Sequence, residues 1–400
     1  MDKENFRKEL SKRSVFRDSS SLNLSYVPKK LYCRDDIIKE LIHNFRGIIE
    51  GKGKFSSNCL LIGKGGVGKT VSAKFFGRNF RETAIEKGIN LFIEHFDCVN
   101  FRTKSKIIRT LLGKYCQGSG RGFSDDEAMK QIITKVKNDN GYILLILDEI
   151  HLIPKNDIWA LLDTAETFGH HNVRMSLLLI SRRHDWIRIE SERLLSRINK
   201  KIKLKPYDLD DAKEILNYRV DLAFRDGVMN EDNLELIAKI VEDTKNMRHG
   251  IEILRLSGQY LDKEGLDESS AEIIRNAAAE VAYPEFRADI IDRLKDQELL
   301  SLYAVVRALL NSQKSFTTID DAYEDYKIIC ETYEIVPHVK MSFRKYIRQL
   351  NTLKILLADS IRIDEESRGR HLKITLLDVP AEKLKEYLVE ILEKKLIVDS

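Results

Sequence analysis

Eight consecutive residues could hold a polyphosphate. Gly63-Lys64-Gly65-Gly66-Val67-Gly68-Lys69-Thr70 fits the spacing G-x-x-x-x-G-K-[ST]. Glycines let successive backbone N–H groups turn inward and form a nest for an anion. The helix N-terminus that follows adds partial positive charge beneath the phosphates. Lys69 has the reach for the β- and γ-phosphates, and the Thr70 hydroxyl suits Mg²⁺. A second stretch tests the first. Tyr142 to Leu147 is an apolar run of strand length that ends in Asp148-Glu149. A carboxylate at a strand's end can hold the Mg²⁺ of a nucleoside triphosphatase. Asp148 is therefore the candidate metal ligand with Thr70, and Glu149 the group that polarises water.

These groups need a frame that brings them together. Asn58–Ile62 reads as a buried strand leading into the glycine loop, and Val71–Phe80 as the helix leaving it. Further strands are expected at Leu91–Asp97, Tyr142–Leu147, Met175–Ile180 and Lys201–Leu204. Helices are expected between them, one opened by a capping box at Ser124-Asp125-Asp126-Glu127. Alternating strands and helices imply a parallel sheet covered on both faces.

Length and composition set bounds. Four hundred residues exceed one ordinary core, so two or three domains are expected. Apolar content of 43% and charged content of 32% suit a soluble globular chain. A net charge of +4 carries no whole-chain case for nucleic acid, so local patches must carry it. The five cysteines are scattered and never spaced Cys-x-x-Cys, which fits a reduced interior rather than a disulfide framework or a zinc site. No apolar run is long enough for a membrane span, and the first residues lack a secretory core.

Beyond the sheet the pattern changes twice. Residues 1–24 are polar and read as a mobile arm; 25–206 form the α/β domain. Over 207–284 four helices follow one another, at Asp210–Phe224, Glu231–Thr244, His249–Leu261 and Ser269–Val281. Over 285–400 three helices, Leu294–Leu310, Ile319–Tyr333 and Lys340–Thr352, precede two short strands near Ile355–Leu357 and Leu372–Leu376. Three helices and a hairpin are the winged-helix pattern. From His338 to Lys373 there are nine Lys/Arg against four Asp/Glu, and their arrangement matters more than the excess. In the third helix Phe343, Tyr346, Ile347 and Leu350 repeat at core spacing. Lys340, Ser342, Arg344, Lys345 and Arg348 are then candidates for a major-groove face. Arg368-Gly369-Arg370 is a basic hairpin tip that suits a phosphate strand or a narrow minor groove. A second basic region, Arg102, Lys104, Lys106, Arg109 and Lys114, lies in the α/β domain.

With these motifs in place, the chain resembles the archaeal replication initiators of the AAA+ class, the Orc/Cdc-type origin-recognition proteins. The likeness runs from about Val15 to Leu388. It implies an AAA+ P-loop parallel-sheet domain, a helical lid and a C-terminal winged helix. It implies ATP or ADP with Mg²⁺ held by Gly63, Gly65, Gly66, Val67, Gly68, Lys69, Thr70 and Val71. Tyr26, Val27, Pro28 and Arg34 resemble the adenine-side segment, and Tyr207 and Arg219 join them as expected cofactor contacts. Arg121-Gly122-Phe123-Ser124 lies where the family has Arg-Gly-Leu-Ser. Arg193 lies in the arginine-finger segment and would reach a neighbouring subunit's γ-phosphate. Arg248, in Met247-Arg248-His249-Gly250, resembles the sensor-2 arginine of the lid. The implied partners are double-stranded origin DNA, touched also by Arg102 and Lys104, other initiators of the family, and the replicative helicase. The implied place is the cytoplasm, on the nucleoid.

Three departures qualify the likeness, one being Lys64-Gly65-Gly66-Val67 where Pro-Pro-Gly-Thr is usual, which changes loop stiffness but leaves every essential group. Ile180-Ser181-Arg182 stands where Ile-Ser-Asn is usual, and a guanidinium only donates where an amide could orient water. Hydrolysis is then slow, or Arg182 clamps the γ-phosphate. His151 replaces a second aspartate after Asp148-Glu149-Ile150 and reads as a surface or loop histidine. Arg182 keeps open a second reading, an initiator-like DNA-binding regulator with nucleotide as a mainly structural ligand. A clamp-loader-like ATPase is disfavoured by the winged-helix ending.

Overall fold

The computed structural model describes residues 2, 13–51, 56–116, 122–167, 174–281, 288–312, 315–353, 355–361, 371–376 and 380–397. They form two compact units, Ser25–Tyr207 and Asp208–Ser400, the second joined by the N-terminal residues.

In the first unit α1 (Asp35–Glu50) precedes β1 (Asn58–Gly63), α2 (Lys69–Glu86) and β2 (Asn90–Asp97). Then come α3 (Lys104–Tyr115), α4 (Asp125–Asn138), β3 (Gly141–Asp148) and α5 (Lys155–Thr167). β4 (Met175–Arg182), the short helices α6 (Arg183–Ile189) and α7 (Glu192–Leu195), and β5 (Lys200–Lys203) complete it. The five strands are parallel in the order β2-β3-β4-β1-β5. β3 is buried at every position because helices cover both faces, which is why it reads as a continuous apolar run. Its period of two still sorts the side chains. Tyr142, Leu144 and Ile146 pack with Phe45 of α1 and Phe76 of α2. Ile143, Leu145 and Leu147 pack with Leu111, Ile132 and Leu161 of α3, α4 and α5. The expected capping box opens α4, with Ser124 and Glu127 each satisfying the other's backbone. Register pairs Gly63 with Arg182 and Asp97 with Asp148, so the chemistry gathers at the carboxyl edge of the sheet.

The second unit begins with four helices: α8 (Leu209–Ala223), α9 (Glu231–Thr244), α10 (Met247–Glu264) and α11 (Ala271–Val281). Against them lies the N-terminal segment, and here the structure corrects the sequence reading. Residues 13–24 are not a free arm. Phe16 stacks on Phe224 with centroids 4.9 Å apart, and Val15 and Leu22 are buried. The Val15 N–H donates to Asp262 at 2.7 Å. Gly258 makes room for this: a Cβ there would stand 2.2 Å from the Phe16 ring.

α12 (Ala288–Ile291), α13 (Asp296–Ser312), β6 (Thr317–Thr318), α14 (Ile319–Thr332), α15 (Lys340–Thr352), β7 (Leu357–Ile361) and β8 (His371–Thr375) follow. The three strands pair antiparallel in the order β6-β8-β7, which closes the winged-helix fold. A last helix, α16 (Ala381–Leu392), buries Leu384, Leu388 and Leu392 in the same core. Among the described residues no helix is long and apolar enough to cross a membrane.

The helical lid and the winged helix are clasped by charge. Lys239 of α9 keeps only 9% of its side chain exposed and donates to Asp359 of β7 at 2.7 Å. Glu235 stands 3.1 Å from the same ammonium and 3.6 Å from Lys373 of β8. Burial alone would lower the Lys239 pKa, but Asp359 and Glu235 outweigh it and raise it. Burial likewise pushes Glu235 up, while Lys239, Lys373 and Lys213 bring its carboxyl net below the ordinary range. A raised lysine contributes below its unfolded pKa and a depressed carboxyl above its own, so the clasp holds across neutral pH. Asp359 is half exposed, so Asp359→Asn should cost about 1–2 kcal/mol, less than a fully buried pair. A urea melt should show that drop at pH 7; an unchanged midpoint would remove the clasp from the account.

Candidate functional site

The loop between β1 and α2 has the backbone that its glycines permit. Gly66 and Gly68 have φ of +71° and +89°, and Gly68 caps α2. A Cβ at Gly68 would also stand 2.4 Å from the Tyr207 hydroxyl. Beneath the loop lies Arg34, which is buried. It donates from Nη2 to the Val67 and Lys205 carbonyls, each at 2.9 Å, and stacks 3.6 Å from the centre of the Tyr207 ring. Arg34 and Tyr207, expected as cofactor contacts, thus brace the loop from below. The Tyr26–Pro28 segment is tied to α2 by Arg78, which donates to the Pro28 carbonyl at 2.7 Å. Arg78 is a support that spacing did not reveal.

Lys69 is buried, and its ammonium donates to the Gly63 and Lys64 carbonyls at 3.0 and 2.7 Å. The Thr70 hydroxyl donates to Asp148 Oδ2 at 2.6 Å, across from α2 to the end of β3. His95 Nε2 stands 3.6 Å from the same oxygen. Burial by itself raises the Asp148 pKa. His95, the Thr70 hydroxyl and the Glu149 N–H outweigh it, and the carboxyl titrates below its ordinary value. A hydroxyl and an ionised carboxylate side by side are the hard oxygen donors Mg²⁺ prefers. The nest, the inward lysine and this donor pair fit a magnesium triphosphate. Bound there, the ion would neutralise phosphate charge.

Glu149 follows Asp148 with a left-handed φ of +53°, which turns its side chain away from the strand. Its Oε1 lies 3.6 Å from Arg182 Nε and its Oε2 3.4 Å from His151 Nδ1. The same Nδ1 is 3.1 Å from Ser181 Oγ, and His151 Nε2 is 3.4 Å from Asp185 Oδ2. His151, expected at the surface or in a loop, lies in the short 3₁₀ turn Ile150–Leu152 with its side chain mostly buried. With 13% of its side chain exposed, it bridges Glu149 to Asp185 at the start of α6. Arg193 is exposed on α7 with its guanidinium 3.6 Å from the centre of the Trp159 ring. Arg248 is exposed on the first turn of α10. Arg219 is buried and donates to the Ser21 carbonyl at 2.6 Å, so it pins the N-terminal segment to α8.

Three family descriptions match in chain order. "AAA domain" covers residues 56–184, "Cdc6 AAA+ ATPase-type lid domain" 213–279, and "CDC6, C terminal winged helix domain" 289–387. The chain belongs to the Orc/Cdc6-type AAA+ family. An ORC1-type DNA replication protein 2 of Sulfurisphaera tokodaii is 29% identical over 379 residues, 91% of this chain and 90% of that one. The crystal structure of Cdc6p from Pyrobaculum aerophilum matches with a TM-score of 0.85 and 22% identity, over 96% of this chain and all of that one. The Aeropyrum pernix ORC1 protein in complex with DNA matches at 0.59 and 19%, over 96% and 98%.

Within this Orc/Cdc6-type chain the winged helix carries its basic residues unequally. On α15 Phe343, Ile347 and Leu350 face the core. Arg344, Lys345 and Arg348 are exposed and make no ion pair among the described residues. Lys340 differs, since it donates to Asp320 of α14. Ser342 is half-buried on the first turn. In the α/β domain Lys104 differs more. Its side chain is largely buried and lies 4.0 and 3.7 Å from Asp125 and Asp126, so its charge is already balanced. Lys114 pairs with Glu94, and Arg102 donates to the Val99 carbonyl at 3.0 Å while staying exposed. Arg121, Arg368, Gly369 and Arg370 lie outside the described residues.

Proposed function

We propose that this initiator-family protein binds ATP with Mg²⁺ at the Gly63–Thr70 loop and grips duplex origin DNA through its winged helix. Nucleotide then sets how firmly it holds the duplex and whether it helps load the replicative helicase. One observation carries the reading. Lys69, Thr70, Asp148 and Glu149 meet at one sheet edge in a chain whose α15 holds outward three cations that make no ion pair among the described residues. Arg248 and, from a second copy, Arg193 would add guanidinium forks to the phosphates. Other initiators of the family are the natural neighbours for that second copy.

The α15 cations give the test. Each phosphate neutralised contributes about −0.9 to the slope of log K against log salt. Arg344→Ala and Arg348→Ala should each weaken binding to any duplex and flatten that slope by about one. A titration unaltered from 50 to 200 mM salt, roughly the range where phosphate contacts act, would reject these contacts.

A second reading is kept because Arg182 engages Glu149. There the protein is a DNA-binding regulator with nucleotide as a mainly structural ligand. Genome-wide occupancy separates the two: promoters without origins would favour the regulator.

A further inference from the structure

The helix that presents these exposed cations also presents an apolar side chain to water. Met341 is 82% exposed, on the first turn of α15. At 100° per residue, Met341, Lys345, Arg348 and Thr352 form one stripe opposite Phe343, Ile347 and Leu350. Val336 and Val339, just before the helix, are 80% and 68% exposed. Exposed residues of this kind occur singly on most surfaces and mean little there. Three in six positions, leading into one helix N-terminus, form a patch. The lead-in is held in place: the Tyr323 hydroxyl donates to the His338 carbonyl at 3.1 Å, and His338 Nδ1 lies 2.7 Å from the Tyr346 hydroxyl.

The surroundings decide what covers the patch. α15 contains no acidic residue, and Asp320 of α14 is taken by Lys340. A partner must therefore be polyanionic and yet offer an apolar group at the depth of a helix's first turn. In duplex DNA the major groove offers one such group, the 5-methyl of thymine. The first turn is also the part of a recognition helix that approaches base edges.

We infer that Met341, with Val339 beside it, reads thymine methyl groups in the major groove, while Arg344, Lys345 and Arg348 hold the flanking phosphates. This rests on the winged helix being the DNA-binding element, as proposed above. It adds a source of base preference that the basic residues alone lack.

The test uses the full chain with its nucleotide. Duplexes of about 30 base pairs are enriched from a random pool by the wild-type protein, a length that spans roughly three helical turns. The enriched set is then resynthesised with either thymidine or deoxyuridine, which keeps pairing and removes only the methyl. Burying one methyl is worth about fourfold in affinity, so the wild type should prefer thymine by about that factor or more. Met341→Gln, at a side chain already in water, should leave folding and the salt slope intact and bring the thymine-to-uracil ratio to about one. Met341→Leu should restore it. Equal binding of both duplexes by the wild type overturns the inference and leaves the phosphate contacts standing. Loss of dimerisation in Met341→Gln without loss of thymine preference assigns the patch to a second copy, and also overturns it. No binding to any duplex defeats the DNA reading itself.

Discussion

Lys69→Ala should leave a folded protein that no longer holds nucleotide. Its ammonium lies inside the loop, 3.0 and 2.7 Å from the Gly63 and Lys64 carbonyls. Those carbonyls hold the amine in place, and a triphosphate would offer it stronger, charged acceptors. Removing it takes one full charge from a site built around phosphate, so affinity should fall at least about 100-fold. The fold has less at stake. The sheet core beneath the loop does not involve the amine, and the Arg34 bonds to Val67 and Lys205 remain. Thermal melts make the distinction. Saturating ATP at about 100 times Kd stabilises a binding protein by about 2.7 kcal/mol. The wild type should show that upward shift; Lys69→Ala should melt at the apo temperature with or without ATP. An equal shift in both would refute the phosphate assignment, and a low apo melt in the variant would show a fold defect instead.

Legibility in the sequence followed contiguity. The Gly63–Thr70 loop and the β3 end are runs of adjacent residues, so spacing alone located them. Winged-helix elements showed through period, because α15 alternates core and solvent at helical spacing. What escaped depended on contacts between distant residues. The contacts of His151 escaped because its partner Asp185 lies in another element and only the fold brings them to 3.4 Å. The brace that Arg34 forms escaped because the carbonyls it holds, at Val67 and Lys205, carry no side-chain signature. The N-terminal segment looked mobile because Val15, Phe16 and Leu22 are too few and unevenly spaced to announce a packed face. β6 escaped as two residues paired to β8, and Lys104 looked free because its acidic neighbours sit at the start of the next helix.

Arg182 supplies the sharpest test of how the site is tuned. Its Nε lies 3.6 Å from Glu149 Oε1, so the group expected to polarise water already faces a cation. Half of the Arg182 side chain is exposed, which weakens the pull but leaves the geometry. An asparagine at this position could orient water and would release the carboxylate. Arg182→Asn should therefore raise ATP turnover, by about tenfold if about 1.4 kcal/mol of barrier is removed. Glu149→Gln should abolish turnover in either background while ATP stays bound, because Lys69, Thr70 and Asp148 are untouched. The His151 bridge predicts an intermediate result. His151→Ala takes away the partner that holds the Glu149 carboxylate in orientation, so turnover should fall even in the Arg182→Asn background, with ATP affinity unchanged. Single-turnover hydrolysis with labelled ATP measures each of these variants against the wild type. If Arg182→Asn slows hydrolysis, the guanidinium belongs to the phosphate rather than to Glu149, and the pairing seen at 3.6 Å is a resting contact.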